Sequence, residues 1–161
     1  MKETSLLELR RTLLKGGIAT LLSPLLGTGL LMPTGLLAAE WQRNAFAADD
    51  IDAALKAYGT ANAKEARDIL INAPEIAENG AKVEIEITSN INNTRSLAIF
   101  ADKNPTPLCA IIEFSTATLP YARVQLKLAE TTQIRIVANT REGKTYIAFR
   151  EIKVTNGGCG G

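Results

Sequence analysis

The chain has 161 residues, 18 of them basic and 17 acidic, for a formal charge of +1, and it contains no histidine. That absence removes Ser-His-Asp and Cys-His catalysis, histidine-ligated zinc or copper and histidine general acid–base chemistry. The two cysteines cannot complete an all-thiolate zinc site, and near-neutral charge with 5% aromatics offers no basic excess for nucleic acid.

The first 47 residues read as a targeting segment. A basic stretch ends at Lys15, residues 16–39 carry no charge, and Ala45-Phe46-Ala47 supplies a small-x-small cleavage pattern with Ala48 as the expected new N-terminus. Leu9-Arg10-Arg11-Thr12-Leu13-Leu14-Lys15 resembles the twin-arginine export motif, which places the mature protein in the periplasm. The uncharged run is long enough to span a bilayer. However, Gly16, Gly17, Gly27, Gly29, Gly35, Pro24 and Pro33 make it a poor helix, so no stable membrane anchor is expected. Twin-arginine export carries folded proteins, and with no cofactor motif in sight a folded partner is the expected passenger. Removal of the segment takes away five basic and three acidic residues, leaving 114 residues with a net charge of −1.

Residues 48–80 are expected to be helical. Asp49 or Asp50 can cap a helix through Ile51, Ala54 and Leu55 that ends at Gly59. Asn62 followed by Glu65 resembles a capping box and predicts more helix over Ala63–Ile71, stopped by Pro74.

From Lys82 the period changes to two. Val83, Ile85 and Ile87 alternate with polar residues, as do Leu97, Ile99 and Ala101, then Ala122, Val124, Leu126 and Leu128, then Ile134, Ile136 and Ala138. Leu108–Ser115 is apolar on both parities and reads as a central strand. Asp102–Pro107 is a loop, because its prolines cannot donate to a ladder. Arg141-Glu142-Gly143-Lys144 supplies a hairpin turn. Over Thr145–Val154 the apolar parity changes, and a bulge near Arg150-Glu151 is expected. Six or seven short strands with regular turns over residues 81–155 predict a mainly β fold, an immunoglobulin-like antiparallel β-sandwich.

Residues 156–161 form the expected carrier arm. Cys159 is flanked by Gly157 and Gly158 on one side and Gly160 and Gly161 on the other. Glycine lacks a Cβ, so the strip cannot pack a core and nothing beside the sulfur hinders access. Counted from Val154, the sulfur could reach roughly 17 Å. No base or helix N-terminus accompanies the thiol, and a pKa near ~8.5 makes it a weak autonomous catalyst but a sound attachment point. The residues thus point to a non-catalytic carrier rather than an enzyme. Cys109, between Leu108 and Ala110, reads as a buried inert thiol. A Cys109–Cys159 disulfide is the alternative for an exported protein and would contribute about 4 kcal/mol in the chain-entropy picture. A different class of function also fits: an exported sandwich used for binding, dimerised through an intermolecular Cys159 disulfide.

The terminal Gly157-Gly158-Cys159-Gly160-Gly161, after a twin-arginine-like leader and a β-rich domain, resembles the SoxY family, carrier subunits of the periplasmic Sox sulfur- and thiosulfate-oxidation system. The stretches Ala73-Pro74-Glu75-Ile76-Ala77-Glu78-Asn79-Gly80, Phe100-Ala101-Asp102-Lys103-Asn104-Pro105 and Ile152-Lys153-Val154-Thr155 are similar to the same family. The resemblance implies that Cys159 is the covalent anchor for sulfur intermediates. It implies a heterodimer with a SoxZ-like β-sandwich subunit, and transient contacts with a haem cytochrome, a thiosulfohydrolase and, where present, a sulfane dehydrogenase. Haem, manganese and molybdenum would belong to those partners, with no cofactor on this chain beyond the sulfur adduct. Cys109 is not part of the family motif.

Overall fold

The computed structural model describes residues 42–156. All of them fall within one compact unit, residues 40–161. Residues 1–41 of the expected leader, its Arg10-Arg11 motif included, and Gly157–Gly161 lie outside the described residues.

The described chain begins with two helices, α1 (Arg43–Phe46) and α2 (Ile51–Tyr58). Asp50 caps α2 by accepting from the Ala53 N–H at 2.8 Å, and Gly59 closes it in the left-handed region at φ 88°. Nine strands follow: β1 (Lys64–Glu65), β2 (Ile69–Asn72), β3 (Ile76–Ala77), β4 (Val83–Ser89), β5 (Thr94–Ala101), β6 (Leu108–Glu113), β7 (Tyr121–Leu126), β8 (Thr132–Thr140) and β9 (Thr145–Val154). The larger sheet runs β1-β9-β8-β5-β6, with β3 also on the outer edge of β9. The smaller sheet runs β2-β4-β7. All pairs are antiparallel except the two-residue ladders of β1 and β3 on β9. The expected mainly β sandwich is therefore the observed one.

The core lies between the sheets. Ile85 and Ile87 of β4 meet Leu97 and Ile99 of β5, Ile134 and Ile136 of β8, and Ile152 of β9, all fully buried. A second apolar layer covers the opposite face of the large sheet. There Ala98, Phe100, Leu108, Val137 and Ile147 pack against Ala45, Ala54 and Tyr58 of the helices. The architecture is thus helix layer, large sheet, small sheet. Ala45 is wholly buried, so packing in the folded unit begins before the expected Ala47/Ala48 junction.

This second layer explains two departures from the sequence reading, and strand pairing a third. Leu108–Ser115 is not a central strand: β6 ends the large sheet. It is apolar on both parities because Ala110 and Ile112 face the sandwich core while Leu108 and Ile111 face the helix layer. The expected bulge at Arg150-Glu151 is also absent, since β8 and β9 pair without a register shift from Thr132↔Ile152 to Asn139↔Thr145. Alternation in β9 is regular, with Ala148, Ile152 and Val154 on the core side and Ile147 on the helix side. Third, Ala63–Ile71 is not helical. Lys64 and Glu65 pair with Tyr146 and Ile147, and Ile69–Asn72 pairs with Glu86–Ser89. Ile69 is buried and Leu70 exposed, a period of two that sheet pairing imposes over the local capping-box signal.

Candidate functional site: the root of the C-terminal arm

Cys159 and its glycine flanks fall outside the described residues, but the root from which they depart is well defined. β9 ends at Val154, and the segment Glu75–Gly80 continues to hold the chain beyond it. The Lys153 N–H donates to the Glu75 carbonyl at 2.9 Å, the Thr155 N–H to Ala77 at 3.0 Å, and the Gly80 N–H to the Asn156 carbonyl at 2.7 Å. The Thr155 hydroxyl donates to the Glu78 carbonyl at 2.9 Å. On the other side, the Val154 N–H donates to the Thr131 hydroxyl at 2.9 Å. The Gly80 carbonyl in turn accepts from the Leu128 N–H at 2.7 Å, and Leu128 is fully buried. The clasp is thereby tied to the core.

Each such bond contributes on the order of 1 kcal/mol net. Together they fix the chain through Asn156, two residues further than the end of the strand. Cys159 stands three residues past that point, which limits its Cα to roughly 11 Å from that of Asn156 at ~3.6 Å per residue. The arm is therefore shorter than a count from Val154 implies. Residues Glu75–Gly80 belong to one of the stretches read as family-like, but nothing local in them signals that they clasp a segment more than 70 positions away.

An open groove of about 560 Å³ runs beside the clasp, lined in part by Asn72, Glu78, Lys82, Glu84, Glu86 and Arg123. Three of its charges, Arg123, Glu84 and Glu86, are mutually engaged. Arg123 donates to Glu84 at 2.7 Å and lies 3.5 Å from Glu86, while Glu86 also accepts from Asn72 and Tyr121. The Asn72 hydrogen bond, then that of Tyr121, holds the Glu86 carboxyl below its ordinary range. The Glu84 hydrogen bond raises Arg123. With both carboxylates on its guanidinium, Arg123 is poorly placed to receive an anion.

Cys109 sits half-buried where β5 and β6 shift register between Ile99 and Phe100. Its thiol is 3.4 Å from the Pro107 carbonyl and 3.7 Å from Asn104 Nδ2. Asn104 pins the neighbouring loop, donating to the Lys127 carbonyl at 2.8 Å and accepting from the Ala129 N–H at 3.0 Å. The loop is further held by Asp102, which receives two 2.7 Å bonds from Arg135. The second family-like stretch, Phe100–Pro105, is thus a structural corner. Among the described residues no group of three or more His, Cys, Asp or Glu side chains could hold a metal ion, and no helix is long and apolar enough to cross a membrane.

An immunoglobulin-like sandwich with a clasped C-terminal extension is the class that this geometry defines. The family described as sulfur oxidation protein SoxY matches residues 54–159, a span that ends on Cys159. Among solved structures the chain is similar to the sulfur carrier protein SoxY from Chlorobium limicola f thiosulfatophilum. The identity is 34% and the TM-score 0.58, over 65% of this chain and 94% of that one. A weaker likeness links it to the superoxide reductase (neelaredoxin) from Ignicoccus hospitalis, at 16% identity and a TM-score of 0.46 over 55% of this chain and 80% of that one. None of the curated proteins matches. The chain belongs to the SoxY family of sulfur oxidation proteins.

Proposed function

We propose that the protein is a covalent sulfur carrier, with Cys159 as the attachment point and Gly157, Gly158, Gly160 and Gly161 as the unhindered arm around it. The observation that carries this reading is a family match running through residue 159, on a fold similar to a solved sulfur carrier. The clasp supports it, because an arm that delivers its sulfur into other proteins needs a fixed point of departure.

The chemistry balances with partners of stated class. Attack of the Cys159 thiolate on thiosulfate forms an S–S bond, R–S⁻ + S₂O₃²⁻ → R–S–S–SO₃⁻ + 2e⁻, and a haem cytochrome takes the two electrons. Hydrolysis then breaks the bond to the sulfonate group, R–S–S–SO₃⁻ + H₂O → R–S–S⁻ + SO₄²⁻ + 2H⁺, on a thiosulfohydrolase. A sulfane dehydrogenase, where one is available, oxidises the sulfur that remains. This chain contributes the thiol and the arm and is not itself the catalyst. A SoxZ-like sandwich subunit is its stable partner.

The test is the intact mass of the protein recovered from its exported compartment, before and after reduction. Reducible sulfur or thiosulfonate adducts confined to the Cys159 fragment are expected. A reducible homodimer without adduct would instead establish the binding-module reading.

The compartment belongs to the same proposal. Export through the twin-arginine route places the protein in the periplasm, and replacing Arg10 and Arg11 together by lysine is expected to retain it in the cytoplasm. Unchanged export of that double variant would remove the twin-arginine assignment.

A further inference from the structure

The helix layer covers only part of the large sheet's outer face. It lies over Phe100, Leu108, Val137 and Ile147. Along β9 beyond Ile147, the residues of the same parity are Phe149, Glu151 and Lys153. Phe149 is 38% exposed, and Ile76, paired with Lys153, is 56% exposed. Arg135 pairs with Phe149 and holds its guanidinium 5.5 Å from the ring centroid, while Asp102 accepts from the Nε and Nη2 of that guanidinium. Among the described residues, a stretch of sheet outside the helix-layer cluster, with two exposed large apolar side chains, therefore adjoins the arm's root.

Chain length states what must come close to it. With Asn156 fixed by Gly80, the Cα of Cys159 remains within roughly 11 Å of the Asn156 Cα. Any protein that reacts with the sulfur must bring the mouth of its catalytic pocket inside that radius, so the surface around the mouth comes to lie against the sandwich beside the root. Ile76 pairs with Lys153, only three residues before Asn156. A permanent subunit buries on the order of 800 Å² per partner, and obligate interfaces are more apolar than average. Two exposed apolar side chains among charged neighbours suit a transient contact better, and a permanent occupant here would obstruct every enzyme the arm must enter.

We propose that the enzymes acting on Cys159 dock on this face, with Ile76 as the apolar anchor and the Arg135–Phe149 stack as its flank. The inference rests on the carrier reading. The partner has a stated character: an enzyme with a pocket that admits the glycine-flanked thiol and an apolar rim that meets Ile76.

The experiment uses the full carrier with its partner subunit, thiosulfate and the loading haem cytochrome, and follows the adduct on Cys159 by intact mass. Ile76→Glu is expected to lower kcat/KM for loading at least tenfold with kcat little changed, while Ile76→Leu keeps the wild-type value. Leu119→Glu tests the opposite pole. Leu119 is 83% exposed in the turn before β7, and the other end of that strand leads to the clasp; its loading is expected to match wild type. The rate at which Cys159 reacts with iodoacetamide should be the same in all four proteins, because a small reagent needs no docking face. Equal kcat/KM for Ile76→Glu and wild type overturns the docking proposal while leaving the carrier reading in place. So does loss of the partner subunit from Ile76→Glu on size-exclusion, which would assign the face to that subunit. A wild type that is never loaded overturns the carrier reading and the docking proposal together.

Discussion

Cys159→Ser will take up no sulfur from thiosulfate and its loading enzyme, while its unfolding midpoint stays that of the wild type. The loss is complete because a serine hydroxyl is not a thiolate nucleophile under these conditions and cannot form the S–S bond on which the proposed carrier cycle depends. The unchanged stability follows from position. The last hydrogen bonds of the clasp are made by Thr155 and Asn156, and Cys159 lies beyond them. A substitution away from core, caps and networks typically stays within about 0.5 kcal/mol. Intact mass and a urea melt on the same preparation check both halves. Full conjugation of the serine variant would place the attachment site elsewhere and end the carrier assignment to this thiol.

Phe100→Ala is the largest expected loss of stability, about 3–5 kcal/mol, from a domain whose total is typically about 5–15 kcal/mol. Phe100 is fully buried and faces the helix layer rather than the sandwich core. Its ring meets Tyr58 edge to face, with centroids 5.6 Å apart and an interplanar angle of 74°. Truncation opens a cavity under α2 and unseats Tyr58, so the urea midpoint should fall sharply. A loss below about 1 kcal/mol would show that the helix layer lies outside the cooperative unit.

The same seat makes the fold sensitive to alkali. Burial, the dominant influence, raises the Tyr58 hydroxyl above its ordinary value, and bonds from neighbours such as Asn139 only partly offset it. Raising the pKa of this acid in the folded state favours its neutral form. Its contribution is therefore complete below the unfolded value of about 10 and is lost as pH rises through the higher folded value. Urea melts of wild type and Tyr58→Phe across that range should diverge, with only the wild type weakening on this account.

The legible strands were those with one buried face. β4, β7 and most of β8 alternate between apolar and polar residues because the partner sheet or solvent lies on each side in turn, and their pattern in the chain is sufficient to place them. β6 and β9 were harder because apolar residues stand on both of their faces. In such strands the alternation disappears, and an edge strand resembles a central one or a regular ladder resembles a bulged one. The helix over Ala63–Ile71 failed for another reason. Asn62 and Glu65 offer a local capping pattern, but the edges of β9 and β4 offer backbone pairing to the same residues, and the longer-range pairing prevails.

By itself the sequence determined the chemistry this protein can offer: no histidine, a single thiol within a glycine strip, and alternating strands enough for a sandwich. These are properties of residue type and spacing, which survive without knowledge of what touches what. Only the tertiary structure decided where the arm begins and what surrounds its root. Glu75–Gly80 meets Lys153–Asn156 because β3 lies along β9, and the apolar cluster that the helices form with Phe100, Val137 and Ile147 does not include Phe149 or Ile76. Contacts between segments so distant in the chain leave no periodic or compositional trace, since each segment's residues satisfy local rules equally well in other surroundings.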